Sequence, residues 1–511
     1  MKANPAEATD AMMAAYAARA ADCAAHPERL VSLGAQLGRI AAAKGGETAV
    51  IFEDAAISWG DLHRRSNRLA RALSARGVKP GDLITIALPN GIGFIEVCYG
   101  LWKAGATPQP VSSRLPEAEL KAIADLAGGP IIIGAPYDTG RASFTVDELL
   151  AASSDDSDLP DVFSPSWKAP TSGGSTGRPK LIVSGASSAS TGLMGIVWRI
   201  GPDDRVLMPG PLYHNGPLIT TFAALEVGAS VVLMPKFDAE KTLALIDRHK
   251  ITWIYTVPTM MGRMYRLPDE VKAAYDISSL KTLWHLAAPC PPWLKQAWID
   301  WIGPDAVMEL YGGTEGVAST ILDGNEWLLH RGSVGRVVGG AEIAAFSPDL
   351  QRLPAGETGE IFMRRPEGTP ATYRYLGAES KPLDGGWESI GDIGWLDEDG
   401  YLYLADRRTD MILVGGANVY PAEVEAAIDD HPLVGSSCVI GLPDDDLGNK
   451  VHAIVQAKPG LTEADLFGHL AERLVIYKRP RTIEFTTEPL RDDAGKVRRS
   501  QLRADRIAAK G

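Results

Sequence analysis

The stretch that decides the fold is Ser230-Val231-Val232-Leu233-Met234, then Asp238, then a segment carrying Leu243, Ala244 and Ile246, then Ile251 to Val257. Each flanking run is apolar, short and β-branched, as a strand buried on both faces must be. The middle segment spaces its apolar residues as one face of a helix, and the Asp238 carboxylate suits a helix N-cap. Strand, helix and strand of these lengths predict a βαβ crossover over residues 228–259, and with it a layered α/β domain.

The same alternation extends in both directions. Residues 1–30 are rich in alanine and read as helix. Ser58 and Asp61 start another helix, with Leu62, Leu69 and Leu73 at helical spacing up to Gly77. Pro80-Gly81-Asp82 turns the chain into the apolar run Leu83 to Leu88, a buried strand. Between residues 331 and 404 helical patterns give way to strand-like runs such as Gly359 to Met363 and Gly400 to Leu404, which predicts a β-rich subdomain. The charged segment Asp406-Arg407-Arg408-Thr409-Asp410 marks a change. Beyond it, a helix from Pro421 to Ile428, strands around 437–440 and 452–455 and a helix near 463–474 suffice for a small α+β domain. The expected division is 1–405 and 406–511.

Composition narrows the function. A chain of 511 residues with 45% hydrophobic residues is a folded protein of more than one unit. No apolar run reaches the 18 or so residues that would span a bilayer. Four scattered cysteines (Cys23, Cys98, Cys290, Cys438) fit reduced thiols in a cytoplasmic protein. A formal net charge of −13 argues against a nucleic-acid partner, which needs a basic footprint.

Several segments can meet a small polyanion. Ser172-Gly173-Gly174-Ser175-Thr176-Gly177-Arg178-Pro179-Lys180 offers exposed backbone amides, hydroxyls and an ammonium. It lacks the Gly-Lys-Ser/Thr ending of a Walker loop, so alone it reads either as a phosphate cradle or as a surface turn. In Tyr311-Gly312-Gly313-Thr314-Glu315-Gly316, the ring can stack on a base, Thr314 can donate to phosphate, and Glu315 is a hard-oxygen ligand suited to Mg²⁺. Asp392 can accept from ribose hydroxyls, Arg407 can bridge sugar and phosphate, and Lys496 follows Gly495 in a hydrophilic loop. Each of these taken singly also fits a surface charge.

In this order the segments resemble the adenylate-forming family of acyl-CoA ligases, luciferases and peptide-synthetase adenylation domains. Pro211-Leu212-Tyr213-His214, Ala287-Ala288-Pro289, Gly332-Ser333-Val334-Gly335-Arg336 and Gly415-Gly416-Ala417-Asn418-Val419-Tyr420-Pro421-Ala422-Glu423 add to the resemblance, which spans about residues 40–505. Gly173 stands where the family commonly has serine, and Thr409 where its hinge usually has Asp or Lys.

The resemblance implies ATP, Mg²⁺ and CoA as cofactors, with a small-molecule carboxylic acid as substrate. Residues 172–177 and Lys180 would hold the pyrophosphate, and Thr314 the α-phosphate. Glu315 would bind the metal, and Lys496 would enter during adenylation. Ala287, Ala288, Pro289, Glu309 and Tyr311 would enclose adenine; Asp392 and Arg407 would address ribose. Gly415 and Gly416 would line the pantetheine path. His214 would stand where acyl pocket meets acceptor channel, with Asn215, Trp284, His285, Gly312, Gly313, Gly316 and Ala318 as further pocket walls. The loop and the Pro-Leu-Tyr-His-Asn segment look most like bile-acid or steroid-type ligases, so a bulky alicyclic or aromatic acid is expected. A medium- or long-chain fatty acid is the alternative substrate, a carrier protein the alternative acceptor, and a catalytically silent scaffold the non-enzymatic reading. A homodimer is compatible with the sequence.

Overall fold

The computed structural model describes residues 7–173, 179–380, 382–407, 410–414, 417–444, 447–492 and 495–508, with backbone alone at 172, 173, 406 and 407. The decisive stretch folds as strand Ser230–Leu233, helix Ala239–His249 and strand Trp253–Thr256, and Asp238 caps the helix by accepting from the Lys241 amide. The two strands do not pair with each other. Arg205–Met208 lies between them, parallel to both, so the crossover spans one intervening strand.

These strands belong to a nine-stranded sheet whose central run is parallel and continues through Thr282–His285 to Val307–Gly312. The antiparallel strand Ser319–Asp323 follows, then Arg336–Val337 at the edge. Alternate residues point to opposite faces and both faces are dry. Val206, Met208, Val231, Leu233, Trp253, Tyr255 and Trp284 enter one core; Leu207, Val232, Ile254 and Leu283 enter the other. Helices cover each face, which is why the strands read as continuous apolar runs.

A second, four-stranded parallel sheet carries Leu83–Ile86 between Thr107–Pro110 and Ile131–Ile133. The expected strand at 83–88 therefore ends two residues early. Helix Trp59–Ala75 begins where Ser58 accepts from the Asp61 amide, as the sequence indicated. The first helix, Glu7–Ala25, is pinned to distant parts of the chain: Thr9 donates to the buried Glu326 at 2.5 Å, and Arg336 pairs with Asp10 at 2.6 Å.

The β-rich region is an antiparallel sheet of Glu342–Phe346, Gly359–Arg364, Glu388–Leu396 and Leu402–Arg407. The last of these runs across residues 405 and 406. Beyond it lies a small α+β unit with its own core of Val424, Ile428, Val439, Val455, Leu466 and Leu470. Its sheet joins Val434–Asp444, Gly448–Ala457 and Thr482–Thr486, with helices Pro421–Asp429, Glu463–Ala471 and Arg499–Ala508 against it. A large layered α/β domain with a β-rich part plus a smaller α+β domain is thus the architecture the sequence predicted.

Candidate active site

The strands Thr171–Gly173 and Pro179–Ser184 form an antiparallel pair in which Ser172 faces Lys180. Gly174, Ser175, Thr176 and Gly177 lie outside the described residues, as do Gly415, Gly416 and Thr409; Gly173 is described by its backbone, and the side chains of Ser172 and Arg407 are not described. A third strand, Tyr373–Leu376, pairs with Pro179–Ser184 from the other side. That pairing brings a tyrosine to the expected metal ligand. Tyr375 donates to Glu315 Oε1 at 2.6 Å, Lys180 Nζ lies 3.8 Å from the same oxygen, and the Lys180 ammonium sits 4.0 Å from the Tyr375 ring centre. Burial and the neighbouring Glu315 carboxylate both push the Tyr375 phenol up, so it stays a donor.

Ahead of Thr314 and Glu315 the chain runs through Gly312 and Gly313, where any side chain would crowd its neighbours. A Cβ on Gly313 would lie 2.8 Å from Glu315 Oε2, and one on Gly312 2.7 Å from the Ser319 hydroxyl. Gly316 turns the chain with φ of 64°. Thr314 is half-buried between them, and Ala318 is buried in the adjoining core.

Across from this cluster, Tyr311 donates to Asp392 Oδ2 at 2.6 Å, and strand pairing sets Asp392 opposite Arg407. The expected base-stacking and ribose-binding residues are therefore in contact. The turn after strand Thr282–His285 holds Ala287 at φ of 72°, a left-handed conformation uncommon outside glycine. Ala287 and Pro289 are exposed and Ala288 half-buried, so the turn presents backbone to the surface.

The remaining expected residues divide. Glu309 is buried, accepts from Lys295 Nζ at 2.5 Å, and lies 3.8 Å from His285 Nε2. Burial holds the His285 imidazole down to about 4, so it is neutral. Trp284 is fully buried, donating its indole N–H to the Trp198 carbonyl at 3.0 Å and meeting that ring edge-on. His214 precedes helix Asn215–Val227, and its ring lies 4.4 Å from that of Tyr213.

Lys496 comes from the small domain. It is exposed, and its amide donates to Asp492 Oδ1 at 2.9 Å. The adjoining Gly495 is buried against the large domain: a Cβ there would lie 3.2 Å from Val257 and 3.4 Å from Thr259. Those residues follow the parallel strand Trp253–Thr256, the neighbour of the strand that leads into the Ala287 turn, so the lysine loop rests at the carboxyl end of the sheet, where open α/β sheets bind ligands. Two arginines brace it. Arg491 donates to the Gly495 carbonyl at 3.2 Å, and Arg499 pairs with the buried Glu425 at 2.6 Å and with Asp410 at 2.5 Å.

Sequence reading missed Tyr375, Lys295, Arg491 and Arg499. Tyr375, Lys295 and Arg499 act through partners on other elements, and Arg491 closes its loop onto the Gly495 carbonyl, so only the fold reveals them. Arg499 stands beside the Gly495-Lys496 motif and was the most accessible of the four.

Residues 37–373 match the AMP-binding enzyme family, and residues 423–496 match the AMP-binding enzyme C-terminal domain. The chain is 31% identical over 478 residues to feruloyl-CoA synthase of Amycolatopsis sp, covering 89% of this chain and 95% of that one. It is also 31% identical over 526 residues to the 3-(7a-methyl-1,5-dioxo-octahydro-1H-inden-4-yl)propanoyl:CoA ligase of Rhodococcus jostii (strain RHA1), covering 92% and 98%. Among solved structures it is similar to o-succinylbenzoate CoA synthetase from Bacillus subtilis in complex with the acyl-adenylate OSB-AMP. The TM-score is 0.78 at 26% identity, over 91% of this chain and 97% of that one. The same synthetase has been solved with ATP and magnesium ion.

Proposed function

Since the chain belongs to the AMP-binding enzyme family and is an AMP-forming acyl-CoA synthetase, we propose that its acid is a bulky alicyclic or aromatic one and that Glu315, Lys180 and Lys496 carry the adenylation. The observation that carries the residue assignment is the Lys180–Glu315–Tyr375 cluster beside the Tyr311–Asp392 pair, a cation and a metal ligand adjoining a nucleoside-binding pair. The ring-bearing acids named for the two relatives support the substrate class.

The reaction has two steps. A carboxylate oxygen of the acid attacks the α-phosphorus of ATP, the bond to the bridging oxygen breaks, and pyrophosphate leaves. A thiolate then attacks the acyl carbon of the mixed anhydride, and AMP leaves. The carboxylate is already ionised at neutral pH, so no base is needed. The barrier is repulsion between anions and the charge growing on phosphoryl oxygens, which fixed cations and donors oppose. Lys180 and Lys496 supply those cations, Thr314 a donor, and Asp392 with Tyr311 fixes the nucleoside.

The site fits Mg²⁺ through one carboxylate. Glu315 presents a hard oxygen with its partner oxygen held by Tyr375, and among the described residues no cluster of three or more His, Cys, Asp or Glu could cage a metal. Mg²⁺ is commonly held by one or two carboxylates with phosphates and water completing its shell, and when bound it neutralises phosphoryl charge. The second step needs the Lys496 loop to withdraw, and rotation of the small domain about the segment near residues 406–410 exchanges it for the 411–423 face.

Two measurements test this. Acid-dependent ATP–pyrophosphate exchange reports the first step. A panel of ring-bearing and linear acids, assayed for CoA-dependent AMP formation, reports the substrate class. Higher kcat/KM for linear fatty acids than for every ring-bearing acid would overturn the substrate reading.

A further inference from the structure

Just before the phosphate-loop strands lies a lysine that the roles above leave unused. Lys168 is 6% exposed, on a segment stitched between two sheets: the Ala169 amide donates to the Pro108 carbonyl and the Ser184 amide to the Lys168 carbonyl, both at 3.0 Å. Its ammonium donates to Asn215 Oδ1 and lies 5.1 Å from the Trp167 ring centre. Among the described residues no carboxylate comes within ion-pairing distance of it. Burial pushes the group down to about 7, with Glu315, the one charged group acting on it, pulling the other way.

A buried ammonium needs anionic or well-matched acceptors to offset its lost hydration. This one has three donors and, among the described residues, spends one on a neutral amide oxygen. Asn215 opens the thirteen-residue helix Asn215–Val227, whose N-terminus adds positive partial charge at the same corner, and the His214 side chain makes no capping bond there. The corner is therefore a buried, positive, donor-rich place adjoining His214 and within the field of Glu315. By contrast, the buried Lys295 already has Glu309 at 2.5 Å.

We infer that Lys168 is an anion-recognising residue of the adenylation site, taking an anionic oxygen of a reactant in the position a counter-ion would fill. This rests on the adenylation site proposed above. Two reactants carry such an oxygen: the carboxylic acid, through its carboxylate, and ATP, through its phosphates. In both cases Lys168 binds the reactant before the phosphoryl step and does not itself transfer a proton.

The experiment uses the full-length enzyme with whichever acid of the panel supports pyrophosphate exchange. Absence of exchange with every acid overturns the function proposed above and is distinct from the outcomes that follow. Lys168→Met removes the ammonium while keeping an unbranched side chain. Asn215→Asp supplies an internal carboxylate that competes for it. Both should raise one KM by about tenfold or more, the scale of a lost charge-assisted hydrogen bond, with kcat changed less than about threefold. A rise confined to the acid's KM assigns the carboxylate; a rise confined to the KM of ATP assigns a phosphate. If Lys168→Met does not fold, Asn215→Asp carries the same readout. Both KM values within twofold of the parent enzyme would overturn the inference, as would a fall in kcat alone.

Discussion

Glu315 and Lys496 are held in opposite ways. The glutamate is half-buried on a turn of the large-domain wall formed by strands Val307–Gly312, Ser319–Asp323 and Tyr373–Leu376, with one oxygen accepting from Tyr375 at 2.6 Å and Gly312 and Gly313 just before it. The lysine is exposed on a loop, and what is fixed is the segment around it: Gly495 against Val257 and Thr259, Arg491 on the Gly495 carbonyl, Arg499 on Glu425. The large domain orders charged side chains by burying their partners. The small domain orders the backbone around an exposed side chain, which suits the proposed entry and withdrawal of the lysine. A residue of the wall should therefore fail through stability or affinity, and the loop lysine through rate alone.

The wall is broken most severely at Lys295. Removing one member of a buried ion pair leaves the other unpaired, at a cost of about 3–5 kcal/mol. Lys295→Met should lower the stability of the large domain by that order in chemical denaturation, and adding Glu309→Gln should restore most of it. A single variant as stable as the parent would mean that the Lys295–Glu309 pair contributes nothing to stability, and the contrast between wall and loop would lose its firmest member.

The loop gives the next effect. Lys496→Ala should slow adenylation about 10²–10³-fold, the scale of losing one donor to transition-state charge. Thioester formation from supplied acyl-AMP should hold near the parent rate, and so should the melting temperature. Rapid-quench measurement of the two half-reactions separates them; equal loss in both would deprive Lys496 of its role in the first step.

Tyr375→Phe sharpens the comparison from the wall side. It deletes a hydrogen bond to a charged acceptor, worth about 1.5–3 kcal/mol, without touching either reactant. The Mg²⁺ concentration for half-maximal exchange should rise roughly tenfold or more, while the rate at saturating Mg²⁺ recovers. An unchanged Mg²⁺ requirement would show that Glu315 is positioned by its glycine-cleared backbone alone.

The fold was legible where local rules agree with tertiary ones. Asp238 and Ser58 cap the helices their sequences announce, and the apolar runs become strands because both faces of the sheet are covered. Strand order was not legible: nothing local to Ser230–Leu233 or Trp253–Thr256 says that Arg205–Met208 will lie between them. The same limit applies within the site. The Gly-rich turn before Glu315 announces a ligand, and the Gly495-Lys496 pair an ammonium on a turn. Tyr375 reaches Glu315 over a separation of 60 residues, through a strand pairing no motif encodes. Trp284 shows the converse: chemistry makes it a good pocket wall, but alternation along its strand aims it at Trp198 in the core.

The smallest effect concerns how firmly the two domains hold the arrangement seen here. Arg266, just after the large-domain helix Pro258–Tyr265, donates to the Asp429 carbonyl at 2.7 Å, at the C-terminal end of the small-domain helix Pro421–Asp429. A cation at a helix C-terminus is worth about 0.3–1 kcal/mol, so Arg266→Ala should weaken this docking by a factor of about two to five and no more. Because docking brings the Lys496 loop against Val257, its loss should slow adenylation slightly and ease the rotation proposed for the thioester step. The ratio of the two single-turnover rates should then move toward thioester formation, with the KM for ATP unchanged. A shift in the opposite direction would mean that Arg266 serves the second arrangement, and the loop would be held at the sheet edge by Gly495 and its neighbours alone.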